Sequence, residues 1–324
     1  MVGVVVIGRN EGERLKICLE SVLECLPYVV YVDSGSSDNS ISIAKKLGVD
    51  IVALDMRIPF TAARARNAGV DRLKQQSDEI EFVQFVDGDC EMTKGWIQTA
   101  SDYLDAHPNI SVVCGRLRER YPEKSVYNTL CDIEWDTPVG EADACGGISM
   151  ARMDVLIETT GFNPEVIAGE EPELCLRIRK KGWGIWRLGS EMGFHDADML
   201  HFKQWWKRNV RSGYAFALGA HMHGSYPTYH WRAETRRTRL WALYLPALIV
   251  PLSIFSPFFI FLIFIYPFQV ARLALNKRKD IDRNWVYAFY MTLCKFPELQ
   301  GQLKFYFNQL FRSKSKIIEY KGGE

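Results

Sequence analysis

The sequence lacks a surplus of either charge: 40 Lys and Arg face 39 Asp and Glu over 324 residues. A bulk electrostatic grip on nucleic acid needs a basic excess, so that class of function is excluded. No cysteine pair has C-x-x-C spacing among Cys18, Cys25, Cys90, Cys114, Cys131, Cys145, Cys175 and Cys294. A disulfide framework or a thioredoxin-type redox motif is therefore not expected, and the thiols read as reduced. The start, MVGVVVIGRN, has no positive flank and only a short apolar run. It reads as a buried strand rather than a signal peptide. Repeats and low-complexity tracts are also missing.

Charge is missing altogether from the 32 positions Leu240–Ala271. One helix of that length would reach about 48 Å, against roughly 30 Å of bilayer hydrocarbon. Pro246, Pro251, Pro257 and Pro267 interrupt the stretch. Arg236, Arg237 and Arg239 precede it, and Lys277, Arg278 and Lys279 follow. Basic flanks on both sides favour a hairpin that returns to the cytoplasm after turning near Ser256-Pro257. A helix lying in the interface and a buried core hairpin are the alternatives.

The first 190 residues alternate apolar runs with helical spacing. Strands are expected at Val2–Ile7, Tyr28–Val32, Asp50–Leu54, Glu81–Val86, Ile110–Cys114 and Gly184–Leu188. Helices are expected after Leu15, after Ser36-Ser37-Asp38, from Thr61 to Leu73, and near Trp96–His107. That order predicts an α/β fold, a mostly parallel sheet flanked by helices. Three units are expected: a catalytic domain at 1–232, an apolar membrane segment at 233–279, and basic, aromatic helices at 280–324.

Ligands of open α/β sheets bind beyond the carboxyl ends of strands. Polar residues collect there: Gly8-Arg9-Asn10-Glu11, Asp33-Ser34-Gly35-Ser36 and Asp87-Gly88-Asp89. Of three D-x-D motifs, only Asp87/Asp89 closes an apolar strand; the others are Asp196/Asp198 and Asp280/Asp282. Two hard oxygens could hold Mg²⁺ or Mn²⁺ against a diphosphate, or the motif could simply cap a turn. A second acidic cluster, Glu170-Glu171-Pro172-Glu173, opens a helix at Leu174–Lys181. It offers a general base, or acids that merely suit the helix dipole. His221, His223 and His230 lack the spacing of a zinc site.

Five ordered segments carry a resemblance: Ile7–Glu11, Val32–Asp38, Ala63–Gly69, Val86–Asp89, and Gly169-Glu170-Glu171 with Arg177 and Gly182-Trp183. Over roughly residues 2–215 the chain resembles the family 2 glycosyltransferases of GT-A fold. The resemblance implies an inverting transfer from a nucleotide-diphosphate sugar, of UDP or GDP type, with Mg²⁺ or Mn²⁺. It implies a donor site of Arg9, Asn10, Glu11, Asp33, Arg64, Arg66, Asn67, Asp87 and Gly88. The metal would sit on Asp87, Asp89 and His195, with His201 as the competing histidine. Glu171 would be the base, with Glu170 beside it. Asp143, Gly146 and Gly147 would help place the acceptor. Trp205 and Trp206 could stack on an acceptor, and Arg208 and Arg211 could close over the diphosphate. With the apolar stretch, this points to a lipid-linked or envelope glycan acceptor at the cytoplasmic face of the membrane, in exopolysaccharide or related surface-glycan assembly. The rivals are a sugar nucleotidyltransferase and an inactive glycan-binding protein on the same fold.

Overall fold

The computed structural model describes residues 1–23, 26–279 and 281–311. Cys25, Asp280, and the basic Arg312, Lys314 and Lys316 lie outside the described residues. The chain forms two compact units, Met1–Asp198 and Met199–Glu324.

In the first unit a nine-stranded sheet has the order β3-β2-β1-β4-β8-β6-β9-β5, with β7 paired to β9. The strands are β1 (Val2–Gly8), β2 (Val29–Asp33), β3 (Asp50–Ala53), β4 (Phe82–Asp87), β5 (Cys90–Met92), β6 (Ile110–Glu119), β7 (Gly140–Glu141), β8 (Ser149–Arg152) and β9 (Gly184–His195). Helices α1 (Glu13–Leu23), α2 (Ser40–Lys46), α3 (Ala62–Gln76), α4 (Trp96–Ala106), α5 (Val126–Glu134), α6 (Met153–Glu158) and α7 (Glu170–Lys180) accompany it. The β1 run is apolar throughout because both faces are covered. Val4 and Val6 pack toward Leu15, Leu19 and Trp96, whereas Val5 and Ile7 pack toward Leu73, Leu156 and Leu174.

Parallel pairing holds for β3-β2-β1-β4. Beyond β4 the sheet is mixed: β8 runs antiparallel to both β4 and β6, whereas β6 and β9 pair in parallel. The reach of β9 to His195 also exceeds the Gly184–Leu188 expected. That extension matters, because it pairs β9 with β5 and sets Cys90 opposite His195.

The second unit holds α8 (Phe202–His223), α9 (Arg232–Arg239), α10 (Leu245–Phe255), α11 (Ile265–Asn276), α12 (Asn284–Leu293) and α13 (Lys295–Leu310). This unit, from Met199, includes α8. The uncharged stretch forms two continuous helical runs, Arg232–Phe255 and Pro257–Asn276, long and apolar enough to cross a membrane. Ser256 adopts an extended backbone between them. The second run folds back on the first, where the Tyr266 hydroxyl donates to the Trp241 carbonyl at 2.6 Å.

Helices α8 and α13 cross at backbone contact. A Cβ at Gly213 would lie 1.9 Å from the Glu298 carbonyl oxygen, and one at Gly301 would lie 2.0 Å from that of Val210. Gly213→Ala is expected to cost about 1–3 kcal/mol or more, because backbone must move. Gly189→Ala, whose Cβ would meet only Val139 at 3.8 Å, should stay within about 0.5 kcal/mol. Chemical denaturation of the full chain measures both, and equal midpoints would refute the crossing.

Candidate active site

The loops that follow β1 and β2 are clasped to each other. Asn10 takes a left-handed conformation with φ 58°, which Asn tolerates better than most residues. Its Oδ1 accepts the Ser37 N–H at 2.7 Å, and its N–H donates to Ser36 Oγ at 3.0 Å. Arg9 lies over the Phe60 ring at 4.7 Å, and Glu11 pairs with Arg14 at 2.8 Å.

Asp33, expected to contact the donor, ends β2. It is 1% exposed. Its Oδ1 accepts the Tyr31 hydroxyl, and its Oδ2 accepts the N–H groups of Gly35 and Ser36, all at 2.9 Å. Both oxygens are spent on shaping the loop. Arg64 and Asn67 likewise bond to backbone. The Arg64 guanidinium donates to the Ile58 and Pro59 carbonyls at 2.8 Å. Asn67 exchanges two hydrogen bonds with the Phe162 backbone, at 2.7 and 2.9 Å.

Arg66, on the same helix, is 3% exposed and joins two distant carboxylates. Nη2 donates to Asp87 Oδ1 at 2.9 Å and Nη1 to Glu170 Oε1 at 2.7 Å. Burial works against the guanidinium charge. Asp87 and Glu170 outweigh it and hold the group protonated beyond its usual range. Gly147 closes over the pair, since a Cβ there would lie 2.7 Å from Arg66 Nη2 and 3.1 Å from Asp87 Oδ2. Gly146 has φ +86° with open space around it. Asp143 is instead a surface group, paired with Arg179 at 3.0 Å.

Gly88 donates its N–H to the Ile7 carbonyl at 2.8 Å, which fixes the turn that carries both D-x-D acids. The two acids differ. Asp87 is bound to Arg66, while the buried Asp89 faces His195, with Oδ2 3.4 Å from Nε2. His195 Nδ1 lies 3.8 Å from Glu119 Oε2, and the Trp135 ring meets the imidazole edge-on at 4.7 Å between centroids. Ligand atoms of Asp89, Cys90 and His195 all lie within 4.8 Å of one another. Burial, then the Asp87 charge, push the Cys90 thiol well above its usual range, so it stays protonated and donates to Asp89 Oδ1. A carboxylate and an imidazole backed by a second carboxylate suit Mg²⁺ or Mn²⁺, so the residues present fit such an ion. His201 does not belong to this group. It is the N-cap of α8, and its side chain takes part in a capping box with Gln204.

Glu171 occupies the first turn of α7, behind the left-handed Gly169. Its Oε1 accepts the Cys145 N–H at 2.7 Å and the Cys175 thiol at 2.8 Å. Its Oε2 is buried with no partner. Burial raises its pKa, the Glu170 charge adds to that, and hydrogen bonds from Cys175, Cys145 and Gly146 oppose it. A buried carboxylate with one unbound oxygen and a raised pKa has the properties of a general base. Cys175 escaped the reading of the sequence, although it sits one helical turn after Glu171. Glu119 and Trp135 escaped it too: the register of β6 and β9 brings Glu119 to His195, and the C-terminal end of α5 brings Trp135 there.

The remaining candidates stand on α8 in the second unit. Trp205 is 1% exposed, stacked on Phe202 and edge-on to Tyr290, so its ring has no face left for an acceptor. Trp206 donates its indole N–H to Gln300 at 2.8 Å. Arg208 and Arg211 are half-buried on the same helix.

Residues 3–157 match the family model described as glycosyl transferase family 2. A search of curated proteins finds no match. Among solved structures, the mannosyltransferase PcManGT from Pyrobaculum calidifontis, in complex with GDP-Man and Mn²⁺, is similar. It has TM-score 0.63 and 18% identity, over 93% of this chain and 86% of that one. S. aureus TarS 1-349 is similar at TM-score 0.52 and 14% identity, over 95% and 91%. At these identities the likeness is one of fold.

The Glu171 geometry sets a pH dependence. A base must be deprotonated to act, so the acid limb of the rate profile should fall at higher pH than an ordinary glutamate's, about 4.3. The folded carboxyl also keeps its proton to higher pH than the unfolded one, so the wild type loses stability as pH rises through that raised pKa. Glu171→Gln should abolish turnover and gain stability relative to the wild type with rising pH. Denaturation at several pH values checks this, and a stability difference independent of pH would contradict it.

Proposed function

Residues 3–157 form a glycosyl transferase family 2 domain on a GT-A fold, and from that premise we propose an inverting transfer of one sugar from a nucleotide-diphosphate donor to a lipid-linked or envelope glycan. The observation that carries this reading is the buried Glu171 with its unbound Oε2, held in the same unit as the Asp89–His195 pair. Glu171 takes the acceptor hydroxyl proton. The acceptor oxygen bonds to the anomeric carbon as the bond from that carbon to the donor's diphosphate oxygen breaks. One displacement inverts the centre and needs no covalent nucleophile, unlike the two-carboxylate chemistry of retaining glycoside hydrolysis.

Asp89 and His195 would hold a divalent cation, which when bound offsets negative charge on the departing diphosphate. The mannosyltransferase of similar fold was solved with GDP-Man and Mn²⁺, which supports a UDP- or GDP-type donor and Mg²⁺ or Mn²⁺ here. Arg66 keeps Asp87 and Glu170 in register, which positions the neighbouring Glu171. The clasped loops after β1 and β2, with Arg9 over Phe60, form the polar rim at the strand ends.

The membrane part rests on exposure. Ile254, Phe255, Phe258 and Phe268 are 79%, 88%, 74% and 69% exposed. Apolar surface of that extent marks a membrane or partner surface. Basic residues at both ends of the stretch support a hairpin that begins and ends at the cytoplasmic face, where surface glycans such as exopolysaccharides could be built on a lipid.

Asp89→Asn should weaken Mn²⁺-dependent binding of the donor nucleotide by at least about tenfold. Calorimetry against a panel of UDP- and GDP-sugars reads this, and unchanged affinity would remove Asp89 from the ligand role. The double variant Ile254→Asp/Phe255→Asp should lose recovery with phospholipid vesicles while its melting temperature holds, since both side chains are almost fully exposed. Full sedimentation of that variant would count against the hairpin as the anchor.

A further inference from the structure

A cationic cavity lies between α8, α9 and α13 of the second unit, with a volume of about 410 Å³ and Arg232, Arg236, Arg239 and His221 in its wall. The arginines recur at i, i+4 and i+7 of α9, one face of a helix. The helix is anchored beside that face. Thr235 donates its hydroxyl to the Phe216 carbonyl at 3.1 Å and Thr238 donates to Glu298 Oε2 at 2.5 Å. Arg239 is pre-oriented, donating to Tyr306 Oη at 2.6 Å and to Gln302 Oε1 at 3.2 Å. Arg232 lies over the Tyr229 ring at 5.4 Å. Among the described residues, no carboxylate pairs with any of the three arginines, and Arg236 is exposed with no side-chain hydrogen bond. Uncompensated guanidinium groups around one cavity favour a phosphate, which their forks bind bidentately.

A second cavity of about 310 Å³ adjoins the first and shares Arg239 and Tyr306 with it. Its wall is apolar, with Leu243, Leu299 and Leu303. The two make one groove, cationic at one end and apolar at the other. The cationic end stands at the start of the uncharged stretch, the level at which headgroups meet Arg and Lys beside a bilayer.

We propose that this groove binds a lipid that carries a phosphate monoester, with Arg232, Arg236, Arg239 and His221 on the phosphate and Leu243, Leu299 and Leu303 along the chain. The inference rests on the membrane reading of the second unit and deepens it, because it assigns a specific lipid chemistry to a surface otherwise read only as apolar.

The test uses the full chain and three kinds of vesicle: phosphatidylcholine alone, phosphatidylcholine with a long-chain phosphate monoester, and phosphatidylcholine with a fatty acid at matched surface charge. The wild type should bind all three and prefer the phosphate monoester. Arg236→Gln, which removes no contact within the fold, should lower that preference about fivefold with an unchanged melting temperature. The triple variant R232Q/R236Q/R239Q should lose the preference and still bind phosphatidylcholine. Leu303→Asn should weaken binding of the long-chain phosphate but not of a short-chain soluble one. Equal binding to phosphate and fatty-acid vesicles would overturn the proposal while leaving the membrane reading in place. So would full preference in Arg236→Gln, or inorganic phosphate that abolishes the preference at the concentration of the lipid. Absence of binding to any vesicle would overturn both readings.

Discussion

The geometry of the first unit hangs on one buried guanidinium. Arg66 leaves α3 and meets Asp87 at the end of β4 and Glu170 at the start of α7, two elements separated by more than sixty residues of chain. Taking a charge of either sign out of water costs several kcal/mol unless it is paired and hydrogen-bonded. The buried Arg66 and Glu170 therefore depend on each other, and the partly exposed Asp87 gives the guanidinium its second partner. Gly147 is required beside them because any side chain there would push into the pair. The same contact that stabilises the junction fixes where α7 begins, and with it the direction of Glu171.

Around that pair the acidic residues of the cleft divide the work. Asp33 shapes the loop after β2 with three hydrogen bonds. Asp87 offsets Arg66. Asp89, two residues on, turns to His195, whose other ring nitrogen faces Glu119, the arrangement that suits a divalent ion. Glu171 is the carboxylate that burial leaves with one idle oxygen, and a protonated Cys175 thiol holds its other oxygen in place. Residues of one chemical type thus reach four different states through local environment alone. The second unit repeats the theme with cations, where the arginines of α9 gather on a face free of acids.

The strand ends were legible because burial on both faces forces an apolar run, and the run must stop where polar loops begin. Asp89 stood out for the same reason, as a polar group just past such a stop, whereas Glu171 stood out as part of an acidic cluster that opens a helix. The break at Ser256 was visible in the proline that follows it. What escaped was set by pairing rather than by pattern. The antiparallel β8 leaves no local mark that separates it from a parallel strand, and the reach of β9 to His195 depends on β5 across the sheet. Arg64 and Asn67 sit in a motif whose polar character says nothing about whether a side chain turns to a ligand or to its own backbone. Trp205 looked like an exposed platform because its polar neighbours hid the aromatic pocket that Phe202 and Tyr290 supply. The aromatic C-terminal stretch, expected to be helical, forms two helices that meet at Cys294.

The most direct test of this account is a double-mutant cycle on Arg66 and Glu170, with Arg66→Met, Glu170→Gln and the double variant unfolded in denaturant. A shared buried pair predicts that each single change costs about 3–5 kcal/mol and that the double variant costs less than the sum by at least about 1 kcal/mol. Additive costs, within about 0.5 kcal/mol, would mean that the two groups act separately. The junction that orients Glu171 would then have to be sought elsewhere.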